Sequence, residues 1–272
     1  MLGPVQGSSA TRQERKAEAF RALHEGEPFV IPNPWDAGSA RVLEALGFQA
    51  LATTSSGFAF TLGRLDGEVT LDEVAEHAAA VDQVTDLPLS VDLENGYGDG
   101  PEAAAAAIAR IAATGAVGGS IEDWDPGGSI YEPAQATERV AAAVEAARAL
   151  EFPFTLTARA ENHIHGIDDL DDTIARLRAF EEAGADVLYA PGLRTHGEIA
   201  AVCAAVSRPV NVLALPGLSV AEIVGAGARR VSVGGALTWV AVGAMADAAR
   251  ALRESGDVAP LSVRLPLAEW FA

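Results

Sequence analysis

"LPLSVDLENGYGDGPEAAAAAIARIAATGAVGGSIE", residues 87–122, decides the fold. A short apolar run passes into a glycine-rich turn carrying two carboxylates, then into an alanine-rich segment of helical period, and then into a second apolar run. That is a βα unit feeding the next strand, the signature of a parallel sheet. Pro101 stands at the helix start and Gly115 just past its end, the asymmetry expected of helix caps. If 87–92 is a strand, Asp92 and Glu94 lie on one side of the segment, because side chains alternate with a period of two. Two like charges there repel unless a cation or a proton lies between them.

Working outward, the same alternation recurs along the chain. The strand-like runs are FVIPN (29–33), ALATTS (50–55), LPLSVD (87–92), VGGSIE (117–122), FTLTAR (154–159), DVLYAP (186–191), PVNVLA (209–214) and RRVSVGG (229–235). Helical segments are predicted at about 37–46, 70–85, 101–114, 134–150, 168–183, 195–206, 219–227 and 236–254. Acidic residues in "TLDEV" and "DLDDT" suit first helical turns, and the glycines of "EEAGAD" and "VGAGARR" suit helix ends. Eight strands and eight helices make an α/β protein, a (β/α)8 TIM barrel, in a single domain over 1–272. An extra helix is expected near the N-terminus, flexibility over about 1–12, and a C-terminal extension over about 256–272 used in subunit packing. An open doubly wound sheet would need a glycine-rich phosphate loop after its first strand, and "PNPWDAGSAR" is not one.

Composition narrows the functions. A net charge of −19 disfavours nucleic acid, whose binding rests on Lys and Arg neutralising phosphates. "MLGPVQGSSATRQERK" has no apolar signal region and no stretch reaches membrane-span length, so a cytoplasmic protein with no membrane partner is expected. The single cysteine, Cys203, excludes an intrachain disulfide and a cysteine-rich metal site. The single lysine, Lys16, precedes the first strand, which argues against Schiff-base or pyridoxal phosphate chemistry.

Active sites of such barrels lie at the C-terminal strand ends. There the sequence places Asn33, Trp35 and Asp36 after strand 1, Ser55, Ser56 and Gly57 after strand 2, and Asp92 and Glu94 after strand 3. Glu122 and Asp123 end strand 4, Arg159 and Glu161 end strand 5, and Asn211 lies in strand 7. Carboxylates in a mouth short of cations suit a hard ion, Mg²⁺ or Mn²⁺, with Asp92, Glu94 and Glu122 as the ligand set. Arg159 has the fork geometry for a carboxylate or phosphonate, and the "SSG" turn offers a carboxylate nest. "NHIHG" (162–166) invites a zinc reading through His163 and His165, but it has no cysteine partner.

Taken in order, "NPWDAGSAR", "SSG", "LGRLDG", "VDLENGYG", "SIED" and "ARAEN" resemble the isocitrate lyase/phosphoenolpyruvate mutase superfamily over roughly residues 28 to 240. The resemblance implies a barrel that handles small 2-oxo or 2-hydroxy acids through Mg²⁺-stabilised enolates. By position it implies metal-binding acids at Asp92, Glu94 and Glu122, a carboxylate-holding turn at Ser56 and Gly57, a substrate arginine at Arg159, and a catalytic acid at Asp66. It also implies a gating loop after strand 4 with Lys and Cys in the lyases, or Lys and Asn in the mutases. Here that loop reads "DWDPGGSIYEP" and has none of them. The expectation is a Mg²⁺-dependent carbon–carbon lyase or decarboxylase of a small 2-oxo acid, with Ser55, Ser56, Gly57, Asp92, Arg159 and Asn211 binding substrate. A C–P mutase or hydrolase and a 2-oxo acid binding protein without catalysis stay open. Asp66, Tyr97, Tyr131, Glu132 and His163 are the candidate proton donors. The apolar tail "VAPLSVRLPLAEWFA" predicts a homo-oligomer, a dimer or tetramer.

Overall fold

The computed structural model describes residues 10–272; residues 1–9 of the stretch expected to be flexible lie outside the described residues. Arg12 already opens α1 (Arg12–Glu25), the expected extra helix, behind a Thr11–Glu14 capping box. Eight parallel strands follow: β1 (Phe29–Ile31), β2 (Leu51–Ala52), β3 (Leu89–Asp92), β4 (Gly118–Glu122), β5 (Thr155–Arg159), β6 (Val187–Tyr189), β7 (Val210–Leu213) and β8 (Arg230–Ser232). Their order is β1-β8-β7-β6-β5-β4-β3-β2, a barrel closed except for the β1/β2 seam.

The seam is held by other means. Ala52 N–H donates to Pro32 C=O across it at 3.1 Å. Asn33 clips it further: its amide donates to Thr53 C=O at 3.0 Å while its oxygen accepts from Val233 and Gly234 N–H. Asn33, expected at the mouth, therefore serves closure.

Around the strands run α2 (Ala37–Ala45), α3 (Ser55–Thr61), α4 (Leu71–Asp82), α5 (Pro101–Ala112), α6 (Pro133–Arg148), α7 (Leu170–Glu182), α8 (His196–Ala205), α9 (Val220–Gly225) and α10 (Ala236–Ser255). Two elements were not anticipated. The "SSG" turn is the first turn of α3, with Thr54 as its N-cap. The loop after β4 pairs Trp124–Asp125 with Ser129–Ile130 as an antiparallel hairpin.

The N-terminal end of the barrel is plugged by α1. Phe20 and Ala17 are fully buried with Phe29, Ile31 and Val117, and Gly118 is what admits the plug. A Cβ there would lie 2.8 Å from Phe20 Cε1 and 3.0 Å from Thr155 O. Lys16 fixes the helix laterally, donating from Nζ to Asp82 Oδ1 and Thr85 C=O, each at 2.7 Å. No lysine reaches the mouth. At the other terminus a 3-10 turn (Ala259–Ser262) and α11 (Leu267–Trp270) fold back so that Arg41 of α2 covers the Phe271 ring. Among the described residues no helix is long and apolar enough to cross a membrane.

Candidate active site

The site is built on one cross-strand row. Glu122 pairs with Arg159, Arg159 with Tyr189, Tyr189 with Asn211, and Asn211 with Arg230. Paired residues of neighbouring strands point the same way, so this register alone lines the barrel interior with polar groups. Asp92, from β3, joins the row at its upper end.

Arg159 is the centre. Its guanidinium reaches Asp92 Oδ1 at 2.7 Å, Glu122 Oε2 at 2.9 Å and Glu161 Oε1 at 2.8 Å, and the Tyr189 ring lies 5.4 Å beneath it. Burial would lower the arginine's pKa, but Glu161, Glu122 and Asp92 outweigh it and hold the charge well above its ordinary range. Asp92 is fixed in turn, accepting from Ser55 N–H at 3.2 Å and from the Ser120 hydroxyl at 3.4 Å.

The mouth holds more carboxylate charge than Arg159 alone balances. Glu94 sits at φ 47, a left-handed conformation in the turn that re-aims it, and accepts from the Tyr97 hydroxyl at 3.3 Å. Burial, then the negative charges of Asp92 and Asp66, push it up to about 7. Burial also raises Glu122 well above the usual carboxylate range and raises Asp66, to which Asp92 adds. A hard divalent cation answers this: all donors are oxygen, and every one of these shifts would be reversed by a positive charge. Asp92, Glu94 and Glu122 share one mouth without meeting at one point. Among the described residues no three His, Cys, Asp or Glu side chains converge as a metal cluster, because Arg159 stands between Asp92 and Glu122. The donor chemistry fits the ion; an inner shell made of all three carboxylates is not what the side chains form.

Two cavities meet at Arg159. The inner one, about 230 Å³, is lined by Ser55, Ser56, Asp66, Asp92, Asn211 and Arg230 among others. The outer one, about 400 Å³, has Asp66, Glu94, Glu122 and Arg159 on its wall, with Trp124 of the hairpin and His165. Those two rings stack at 3.4 Å between centroids and 2° between planes.

The other expected residues divide. Asp66 lines both cavities. Two of the nest N–H groups are engaged, Ser55 with Asp92 and Gly57 with the Thr54 hydroxyl. Asn211 is 1% exposed, its amide donating to Ser232 Oγ and its oxygen accepting from Arg230. Tyr131 is bound between Asn95 and Asp99, and Glu132 is exposed at the start of α6. His163 is buried 3.7 Å from Asp168 while His165 stacks on Trp124, so the pair forms no zinc site. Cys203 lies in α8, its thiol pushed up to about 11 by burial. Sequence reasoning missed Tyr189, Ser120, Trp124 and Arg230. The alternation of "DVLYAP" could have put Tyr189 on the inner face.

The family model described as phosphoenolpyruvate phosphomutase matches residues 20–253. A solved structure from Burkholderia cenocepacia J2315, named only at the level of lyase or mutase, is 51% identical with a TM-score of 0.93, covering 96% of this chain and 98% of that one. An oxaloacetate decarboxylase of Paraburkholderia xenovorans (strain LB400) is 32% identical over 79% of this chain and 71% of its own. Oxaloacetate acetylhydrolase, solved with its product oxalate, is 28% identical at a TM-score of 0.85, over 94% and 93% of the two chains. With the strand-end acids and arginine in one mouth, the chain belongs to the isocitrate lyase/phosphoenolpyruvate mutase superfamily.

Proposed function

We propose that this chain is a Mg²⁺- or Mn²⁺-dependent enzyme that breaks a carbon–carbon bond in a small 2-oxo acid of the oxaloacetate type, as a decarboxylase or lyase. The observation that carries the proposal is the mouth itself: Asp66, Asp92, Glu94, Glu122 and Glu161, five carboxylates, around one embedded arginine. The names of the decarboxylase and acetylhydrolase relatives support it.

Asp92, Glu94 and Glu122 would hold the cation, with water, and the ion would supply Lewis-acid polarisation of the 2-oxo oxygen. Arg159 donates to the oxygen on which negative charge develops as the bond breaks. Because Asp92, Glu122 and Glu161 already fix its orientation, it needs little reorganisation at that moment. Decarboxylation releases CO₂ and leaves the bonding electron pair in the enolate of the remaining acid, so no protein base is needed. Asp66, raised by desolvation and by the neighbouring charge of Asp92, is the acid that returns the proton to carbon in this reading. The Trp124–His165 stack forms part of the wall of the outer cavity. The loop after β4, without Lys, Cys or Asn, favours a second reading, a 2-oxo acid binder without turnover. The exposed apolar side chains of the tail and α10 support a homo-oligomer, a dimer or tetramer.

Incubation with oxaloacetate, 2-methylisocitrate and phosphonopyruvate in Mg²⁺ separates the readings. Pyruvate from oxaloacetate, with little cleavage of 2-methylisocitrate, is the expected result. Phosphate release would transfer the site to C–P chemistry, and calorimetric binding without product would leave the binder.

A further inference from the structure

The inner cavity runs from Arg159 and Asp92 at the mouth down to Arg230. Its wall carries hydroxyls, from Thr53, Ser90, Ser120 and Ser232, where barrel interiors are ordinarily filled by bulky branched side chains. At its floor Arg230 is only 5% exposed and, among the described residues, has neutral partners alone. Nε donates to Asn211 Oδ1 at 2.9 Å, and the terminal nitrogens reach His24 Nε2 at 3.1 Å and Thr157 Oγ1 at 2.9 Å. His24 is neutral: burial and then Arg230 itself push it down to about 3, and Nδ1–H donates to Phe20 C=O, which leaves Nε2 as the acceptor. Three of the five guanidinium N–H groups are thus engaged.

Among the other buried cations, Arg159 is bracketed by three carboxylates and Lys16 and Arg176 each sit against an aspartate, while Arg139 is held by the carbonyls of Asn95, Gly98 and Gly100; Arg230 has neither an acid nor a full set of acceptors, and it lines the inner cavity. A buried cation facing only neutral groups is unfavourable, and a carboxylate placed beside it reverses that. The acidic mouth repels a second carboxylate on a ligand; the floor attracts one.

We propose that the floor of the inner cavity is a carboxylate site, where Arg230 binds one end of a short dicarboxylate whose other end lies at the mouth. The proposal rests on the 2-oxo acid reading only for the identity of the end at the mouth. Arg230 then sets preference by ligand length and charge, separately from the chemistry at Arg159.

Calorimetric titration with succinate and with pyruvate, on the full chain and on Arg230→Met and Asn211→Asp, tests this. Arg230→Met removes the cation at similar volume. Asn211→Asp keeps the cation and sets an internal carboxylate against its Nε, so it remains informative if the first variant fails to fold. The succinate-to-pyruvate affinity ratio is expected to fall about 30-fold in either folded variant. An unchanged ratio, or no succinate binding by the unaltered chain, overturns the site. If succinate binds through Arg230 while pyruvate and oxaloacetate neither bind nor react, the site stands and the 2-oxo acid reading fails.

Discussion

His24 and Arg230 are 206 positions apart, yet they share one hydrogen bond at the barrel floor. The folded-state pKa of His24, about 3, lies below its ordinary 6.5. Between those values the unfolded chain binds a proton that the folded chain refuses, so stability rises with pH through this window and is lost as pH falls. Urea unfolding from about pH 6 to about pH 4 should show a loss on the order of a few kcal/mol that is smaller in His24→Gln. Equal pH dependence in the two proteins would remove the argument. At the mouth, Asp92→Ala and Glu122→Ala should each lower Mg²⁺-dependent binding of oxalate by about two orders of magnitude. Circular dichroism should stay unchanged, since Arg159 retains two acidic partners in either variant. Unaltered calorimetric binding in both would refute their role. Asp92, Glu122 and Arg159 were legible in the sequence because each ends a strand, and Glu94 because it lies in the turn just beyond one, where the barrel rule assigns function. Arg230 and His24 were not: one sits mid-strand and the other in a helix, and what they touch is set by barrel closure.

Elements with caps and a clear period were legible to within a few residues. The predicted helix at 101–114 is observed as Pro101–Ala112 and that at 236–254 as Ala236–Ser255. α3 was hidden, since "SSGFAFT" is too short to display a period and its glycine suggests a turn. The hairpin after β4 did leave a signal: Asp125, Pro126, Gly127 and Gly128 are turn residues, and Gly128 adopts φ 97. Gly57, expected in the nest, has a packing role as well: a Cβ there would lie 2.6 Å from Thr54 Cγ2 and 2.7 Å from Thr238 Oγ1. It is therefore the point at which α3 and α10 approach, and Gly57→Ala should destabilise by about 1–3 kcal/mol through overpacking. Denaturant melts test this; a variant as stable as the parent would mean that α10 yields without strain.

At the scale of the molecule, α10 is the element the barrel does not explain. Over its 20 residues only Thr238 is buried, while Val240 is 69% and Met245 61% exposed. Beyond it Leu261, Val263, Leu265, Leu267 and Phe271 are exposed as well, Phe271 with the Arg41 guanidinium over one face of its ring. So many exposed apolar side chains on one helix and the segment after it are what a subunit interface would cover. The net charge of −19 opposes association, because copies that carry it repel at long range. Salt screens that repulsion and leaves apolar burial untouched, so the two terms can be separated. Light scattering at micromolar concentration should give a dimer or tetramer, with dissociation promoted by low ionic strength and suppressed by high. A chain ending at Ser255 should associate more weakly at every salt concentration, because it loses part of the apolar term and none of the barrel. A monomeric mass for the full chain at high salt would show that α10 and the tail remain uncovered in solution.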